Sequence, residues 1–308
     1  MKTHSRRCNF EVLEHRLALA GNVAAGLGPE VLQLRGDNAN NSLIITQNSA
    51  GRVLIEGRDG TTINGRSSVS FNGSGLEKTD IKLFGGSDTL VVNELRVTTD
   101  HNLEMGWGAD VVRLNRTRSG VVTTVKTDDG ADRVFAGGVR TGSDFNILTG
   151  QQAASVTMWN GTIGGSLTVL SLDSADSVNV SNTTVSKDVN VNTGKGNDVV
   201  GLINVRSTLS TKITTDLGMD RVRLEGVRTG QDLDIHSGEG NDDVRLLDTR
   251  SQKNIKLNVD TGNDYVLVDR VWAAFDAELL GGDGFDTLTN KGISAGQDLE
   301  IKGFERRT

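Results

Sequence analysis

Arg221-Val222-Arg223-Leu224-Glu225-Gly226-Val227-Arg228-Thr229-Gly230-Gln231-Asp232-Leu233-Asp234-Ile235-His236-Ser237-Gly238-Glu239-Gly240-Asn241-Asp242 ends on an aspartate, as do the stretches before and after it, and that return decides the fold. Asp176, Asp198, Asp220, Asp242, Asp264 and Asp286 follow one another at intervals of 22 residues. The same step backwards reaches Asp132, Asp110 and Asp88, with Ala154 the one lapse. About ten copies of one unit therefore cover roughly residues 67 to 308, and such units are stabilised by their neighbours.

Aligning the copies exposes aliphatic columns. The second position reads Leu90, Val112, Val134, Val156, Val178, Val200, Val222, Val244, Val266, Leu288. The fifteenth reads Leu103, Val125, Ile147, Val169, Val191, Ile213, Ile235, Leu257, Leu279, Ile301. Within a unit the apolar residues alternate, as Val222 with Leu224 and Leu233 with Ile235, which is the period of a strand with one face inward. Gly, Asn and Asp punctuate the short strands as corners. Ten independent hairpins would each be marginal in water, whereas coils stacked as parallel strands bury the columns continuously. The expected fold is all-β: a single-stranded right-handed parallel β-helix, or β-solenoid, of about ten 22-residue coils. At roughly 4.8 Å per coil the array is a rod about 48 Å long. The Leu-x-x-Leu-x-Leu spacing of leucine-rich repeats is absent.

Composition agrees. Across 308 residues there are 38 glycines and 1 proline with 35% hydrophobic residues, too few apolar groups for a broad core of packed helices. A net charge of −7 argues against a partner in duplex nucleic acid, which needs a basic face, and leaves cations and glycans open. Cys8 is alone, so no intrachain disulfide forms. No apolar run approaches the ~18 residues of a membrane-spanning helix. Oligomeric state is not readable.

Three regions are expected: an N-terminal sorting or capping segment (1–30), irregular β lead-in coils (31–88) and the regular array (89–308). In the first, Arg6-Arg7-Cys8-Asn9-Phe10-Glu11-Val12-Leu13-Glu14-His15-Arg16-Leu17-Ala18-Leu19 resembles the N-terminal LEPR-XLL element of large exported planctomycete proteins, with His15 where that element usually has proline. The resemblance implies an exported or cell-surface repeat protein, the element serving sorting or processing. Phe10, Leu13 and Leu17 also fall at helical spacing, so a short amphipathic helix plugging the open end of the solenoid is the other reading.

Three columns bear on chemistry. Gly194-Lys195-Gly196-Asn197-Asp198 and its counterparts, among them Gly238-Glu239-Gly240-Asn241-Asp242, resemble the Gly-Gly-x-Gly-x-Asp calcium turn of secreted RTX-type repeats, although that family repeats every nine residues. The resemblance implies calcium at Asp110, Asp132, Asp198, Asp220, Asp242, Asp264 and Asp286, with Asp216 and Asp260 as added oxygen donors. Stacked carboxylates about 5 Å apart repel by roughly 0.8 kcal/mol in water, so something must offset them. Calcium would; so would aspartates accepting local backbone N–H groups at ordinary corners. The second column is Arg96, Arg118, Arg140, Arg206, Arg228 and Arg250, interrupted by Thr162, Thr184, Trp272 and Ser294. Four residues on lie Asp100, Asp144, Asp188, Asp232, Asp276 and Asp298, so a solvated salt-bridge ladder (Arg140 with Asp144, Arg228 with Asp232) stands beside a guanidinium stripe that grips an acidic polysaccharide or cell-envelope polymer. Third, Trp159, with Trp107 and Trp272, either covers apolar surface or stacks on sugar rings. Arg35-Gly36-Asp37 spells an adhesion tripeptide and equally an Asx turn.

The uniformity of the columns favours a non-enzymatic extracellular or envelope-associated solenoid with a structural, adhesive or matrix role, calcium-stabilised if the turns bind metal. A carbohydrate-active enzyme, a polysaccharide lyase or glycoside hydrolase on a β-helix, is the alternative by analogy of fold.

Overall fold

The computed structural model describes residues 21–308, and among them every regular element is a strand. The expected capping helix and the sorting element lie outside the described residues. Each regular coil makes three strands, as Arg221–Glu225, Arg228–Thr229 and Leu233–His236 do. Left-handed residues turn the chain after the first strand (Gly226) and after the third (Gly238 and Gly240), and a corner at 230–232 makes the third bend, so the cross-section is three-sided. Like strands of successive coils pair in parallel, within two sheets that reach 14 strands with the lead-in and one of 10.

The register is the sequence period. Val200 pairs with Val222 and Val222 with Val244 on one long face, and Ile213 with Ile235 and Ile235 with Leu257 on the other. Both aliphatic columns point inward: the second-position residues are at most 1% exposed. Burying one such side chain stabilises by about 1.5–3 kcal/mol, and two or more per face per coil hold the rod together although the core is only one coil wide. This is the parallel solenoid that the repeat implies.

The lead-in is partly regular. β1 (Asn22–Leu27) lies antiparallel to β2 (Val31–Arg35). β2 and β3 (Ser42–Gln47) form a coil, pairing in parallel with β7 (Lys78–Lys82) and β8 (Thr89–Asn93) of the coil above. The chain between leaves the rod as β4 (Arg52–Gly57), β5 (Thr62–Ile63) and β6 (Ser68–Asn72), with β4 antiparallel to both β3 and β6, and β5 parallel to β1. Reversed strands thus cover this end of the stack, which would otherwise present bare parallel edges. At the far end Phe304 tucks against the core, and Glu305 Oε2 accepts the Asp286 N–H at 2.7 Å, where the next coil would have placed an aspartate.

Candidate functional site

The marker aspartates are interior. Asp88, Asp110, Asp132, Asp176, Asp198, Asp220, Asp242, Asp264 and Asp286 are all at most 2% exposed. Each Oδ1 accepts a backbone N–H from the coil before: Asp198 N–H donates to Asp220 Oδ1 at 2.8 Å, Asp220 to Asp242 at 2.8 Å, Asp242 to Asp264 at 2.7 Å. Ala154 interrupts the ladder; its own N–H donates to Asp176 Oδ1 (2.7 Å), but it has no carboxylate for Asp132. Burial pushes these carboxyls up, to about 8 for Asp110, about 7 for Asp88, Asp220 and Asp264, and about 6 for Asp176. Asp132, Asp198, Asp242 and Asp286 are raised for the same reason.

Oδ2 is buried in every marker aspartate and completes no hydrogen bond of ordinary geometry, although in five coils a hydroxyl five residues earlier, such as Thr215 beside Asp220, lies near enough to lower the carboxyl pKa. The Thr215 hydroxyl proton is committed to Ser237 O at 3.0 Å. Burial without a counter-charge favours the neutral carboxyl, and carboxyls that are neutral do not repel along the stack.

The glycines of the turn have a steric role. Gly196, Gly218, Gly240, Gly262 and Gly284 have φ between +141° and +155°, a conformation open only to glycine. A Cβ built on Gly240 would lie 1.5 Å from Gly218 O, and one on Gly218 equally near Gly196 O. Successive turns touch carbonyl to Cα. Two residues before each of these glycines the chain is left-handed at Gly194, Asp216, Gly238, Asp260 and Gly282, and Asp216 (φ +58°) and Asp260 (φ +56°) fill positions that aspartate tolerates better than most residues.

The residues present fit a calcium cage poorly. Calcium takes 6–8 oxygens. Here Oδ1 of each marker aspartate is occupied by an N–H, Asp260 is bound to His236 Nε2 at 2.7 Å, and the unpaired Oδ2 supplies one buried oxygen per coil where calcium needs several. Among the described residues no three His, Cys, Asp or Glu side chains converge. A thermal melt with and without chelator checks this directly: the expected Tm is unchanged, and a fall of several degrees would reinstate the metal.

The arginines are brought together. Arg96, Arg118 and Arg140 pair in register on the third sheet, then Arg206, Arg228 and Arg250 after the two-threonine gap. All six point outward, and Arg228 alone is as much as half-buried. The ion pairs expected four residues on do not form. Instead Asp144 Oδ1 accepts Ser166 N–H (2.8 Å), Asp188 Oδ1 accepts Ser210 N–H (3.0 Å) and Asp232 Oδ1 accepts Asn254 N–H (3.3 Å), each from the coil above. A backbone N–H at the corner is the nearer and less mobile donor. Among the described residues, only Arg228 of this file has a carboxylate partner, Asp248 at 3.5 Å.

The chain matches no family model, no curated protein and no solved structure. Its own geometry carries the functional argument.

Two grooves beside the arginine file bring together tryptophans and arginines that the sequence offered only as separate candidates. A groove of about 670 Å³ opens where Gly137 and Gly138 leave the surface without side chains, between Arg118, Arg140 and Trp159. A second, of about 520 Å³, lies between Arg250, Arg270 and Trp272 beside Gly292. Period analysis finds columns, and both grooves are breaks in columns. Trp107, by contrast, stands 75% exposed on another corner, beside Phe84. Arg35-Gly36-Asp37 is structural: Asp37 Oδ1 accepts Ala39 N–H (3.0 Å) in an Asx turn, and Arg35 is held by Asp80.

Proposed function

We propose that this chain is a non-enzymatic, extracellular or cell-surface β-solenoid that presents a file of guanidinium groups to an acidic polysaccharide of a matrix or envelope. The observation that carries the reading is the arginine file itself: two runs of three in-register arginines, of which all but Arg228 lack a carboxylate partner among the described residues, with Asp144 and Asp232 turned to backbone amides of the next coil. Guanidinium matches carboxylates and sulfates with two parallel hydrogen bonds, which lysine cannot do. An overall negative chain keeps such a stripe local, so binding runs along one side of the rod. Export rests on the resemblance of the N-terminal element alone.

A catalytic reading finds less support. Of the paired acids Asp242 and Asp243, the first is buried in the ladder and the second is bound to Arg245 at 2.7 Å, so neither is free to act as acid or base. In a pull-down on immobilised polyuronate we expect retention at low salt that falls steeply by 0.5 M salt, since exposed pairs are screened. Replacing Arg206, Arg228 and Arg250 together with alanine should weaken retention about tenfold or more, with no new reducing ends or unsaturated products on a panel of acidic glycans. Equal retention on a neutral polymer would sink the reading.

A further inference from the structure

The groove at Arg118, Arg140 and Trp159 has the parts of a defined sugar site. The Trp159 indole lies across the backbone of the coil below: a Cβ built on Gly137 would stand 2.4 Å from Trp159 Cζ2. Gly137 is thus the seat of the ring, and Gly138, left-handed at φ +65°, keeps the adjoining floor open. Arg118 and Arg140 pair directly with one another's strand and with Thr162 above, one coil rise apart on the wall of the groove. Asn115 Nδ2 donates to Asn93 Oδ1 (2.9 Å), which fixes two amides on the other side. At the corner stands Arg116, left-handed at φ +53° where Asn160, Asn182 and Asn204 occupy the same position in other coils. Arg116 is bound to Glu94, which holds the same left-handed corner one coil below, so the pair closes that end of the groove and leaves Arg118 and Arg140 as its guanidinium wall.

The combination recurs. Five coils above Thr162, which pairs in the same file, Trp272 stands in the arginine register itself, with Arg250 below it and Arg270 left-handed at φ +55°. Gly292 clears the space beside it, as Gly138 does in the first groove. Two breaks in the repeat therefore set an indole beside guanidinium groups and a glycine floor, Arg118 and Arg140 in the first and Arg250 in the second, where Arg270 is bound to Asp269 at 3.1 Å, about 24 Å apart on one side of the rod.

We infer that the Arg118–Arg140–Trp159 groove is a binding site for a carboxylated sugar, a uronate of an acidic polysaccharide, with the ring on the indole and the carboxylate in the paired guanidinium forks. Aromatic faces take the apolar C–H side of a sugar ring, and the forks read a planar carboxylate bidentately. The Trp272 groove is a second contact for the same polymer, which raises avidity without new chemistry at either site. This rests on the reading of the arginine file as a polymer-binding stripe and sharpens it to one place and one ligand class.

Calorimetric titration with a hexagalacturonate tests it. Wild type should bind, and its fully methyl-esterified counterpart should not. Trp159→Ala should lower affinity at least tenfold. Arg118→Lys/Arg140→Lys, which keeps both charges and disturbs no packing, should do the same because the forks are lost, while Lys212→Ala on another face should be silent. If the groove variants bind as wild type does while the Arg206/Arg228/Arg250 triple variant does not, the groove is not the site although the stripe survives. Binding by neither wild type nor variants overturns both. Binding of a sulfated hexasaccharide in preference to the uronate overturns the ligand class.

Discussion

Gly240→Ala should be among the most damaging single substitutions in this rod, lowering stability by about 3 kcal/mol or more. Two costs add at one atom. The φ of +142° lies where an L side chain is strained by about 1–3 kcal/mol, and the new Cβ falls 1.5 Å from a backbone oxygen, Gly218 O, which has no rotamer through which to yield. The coils would have to part at that corner, and because the array is held by nearest-neighbour contacts, the disruption reaches the units on either side. Hydrogen exchange should show protection lost over the coils between residues 218 and 262 first, with Tm falling by several degrees. Gly226→Asn is the control. That corner is left-handed too (φ +64°), but Asn182 and Asn204 hold the same position in earlier coils, and the nearest obstruction is the mobile Asn204 side chain at 2.6 Å. It should be nearly neutral. A Gly240→Ala protein as stable as wild type would mean that the turns do not stack in contact, and the tight-corner account of the Gly-x-Gly-x-Asp motif would fall.

The second large effect is a dependence on pH opposite to that of most proteins. Carboxyls paired with cations have lowered pKa values and lose stability in acid. Here burial raises the marker aspartates, to between about 6 and about 8 where a value is resolved, against about 3.9 in an unfolded chain. Between those limits the folded protein binds more protons than the unfolded one, so their contribution is fully present below about pH 4 and is lost as pH rises through 6 to 8. Each proton so linked contributes a slope of about 1.4 kcal/mol per pH unit. Tm should therefore be clearly higher at pH 5 than at pH 8.5. Asp220→Asn retains the acceptor for the Asp198 N–H and removes the ionisable proton; its amide can donate to Thr215, whose own proton goes to Ser237 O. It should stabilise at pH 8.5 and change little at pH 5. Asp220→Ala leaves a buried N–H without an acceptor and should cost about 1–3 kcal/mol at both. Stability that rises steadily from pH 5 to 8.5, or an asparagine variant as weak as the alanine one, would show that the ladder is ionised.

These two predictions concern the same motif, and they explain why its sequence resembles a calcium turn without its geometry fitting one. Glycine is required by coil-to-coil contact and aspartate by an unpaired N–H per coil. Both demands recur wherever tight coils stack, so the same letters arise from coil packing without a cation being needed to explain them.

The amino-acid sequence by itself determined the period, the strand character of each unit and the inward columns, because a side chain that repeats every 22 residues with alternating burial has only one economical arrangement: stacking in register. It also placed the arginines in a file, which follows from the same register. It did not determine whether Asp198 and its equivalents face water or the core, since glycine and aspartate are compatible with either, nor that Asp144 and Asp232 would bond to the next coil instead of to arginine. Those outcomes depend on which donor lies nearest once coils are about 4.8 Å apart. The grooves at Trp159 and Trp272 were decided by the tertiary structure alone, because each joins residues from different coils at points where the repeat fails: an alignment of like positions records such a failure as a mismatch, and only three-dimensional adjacency shows that the mismatches meet.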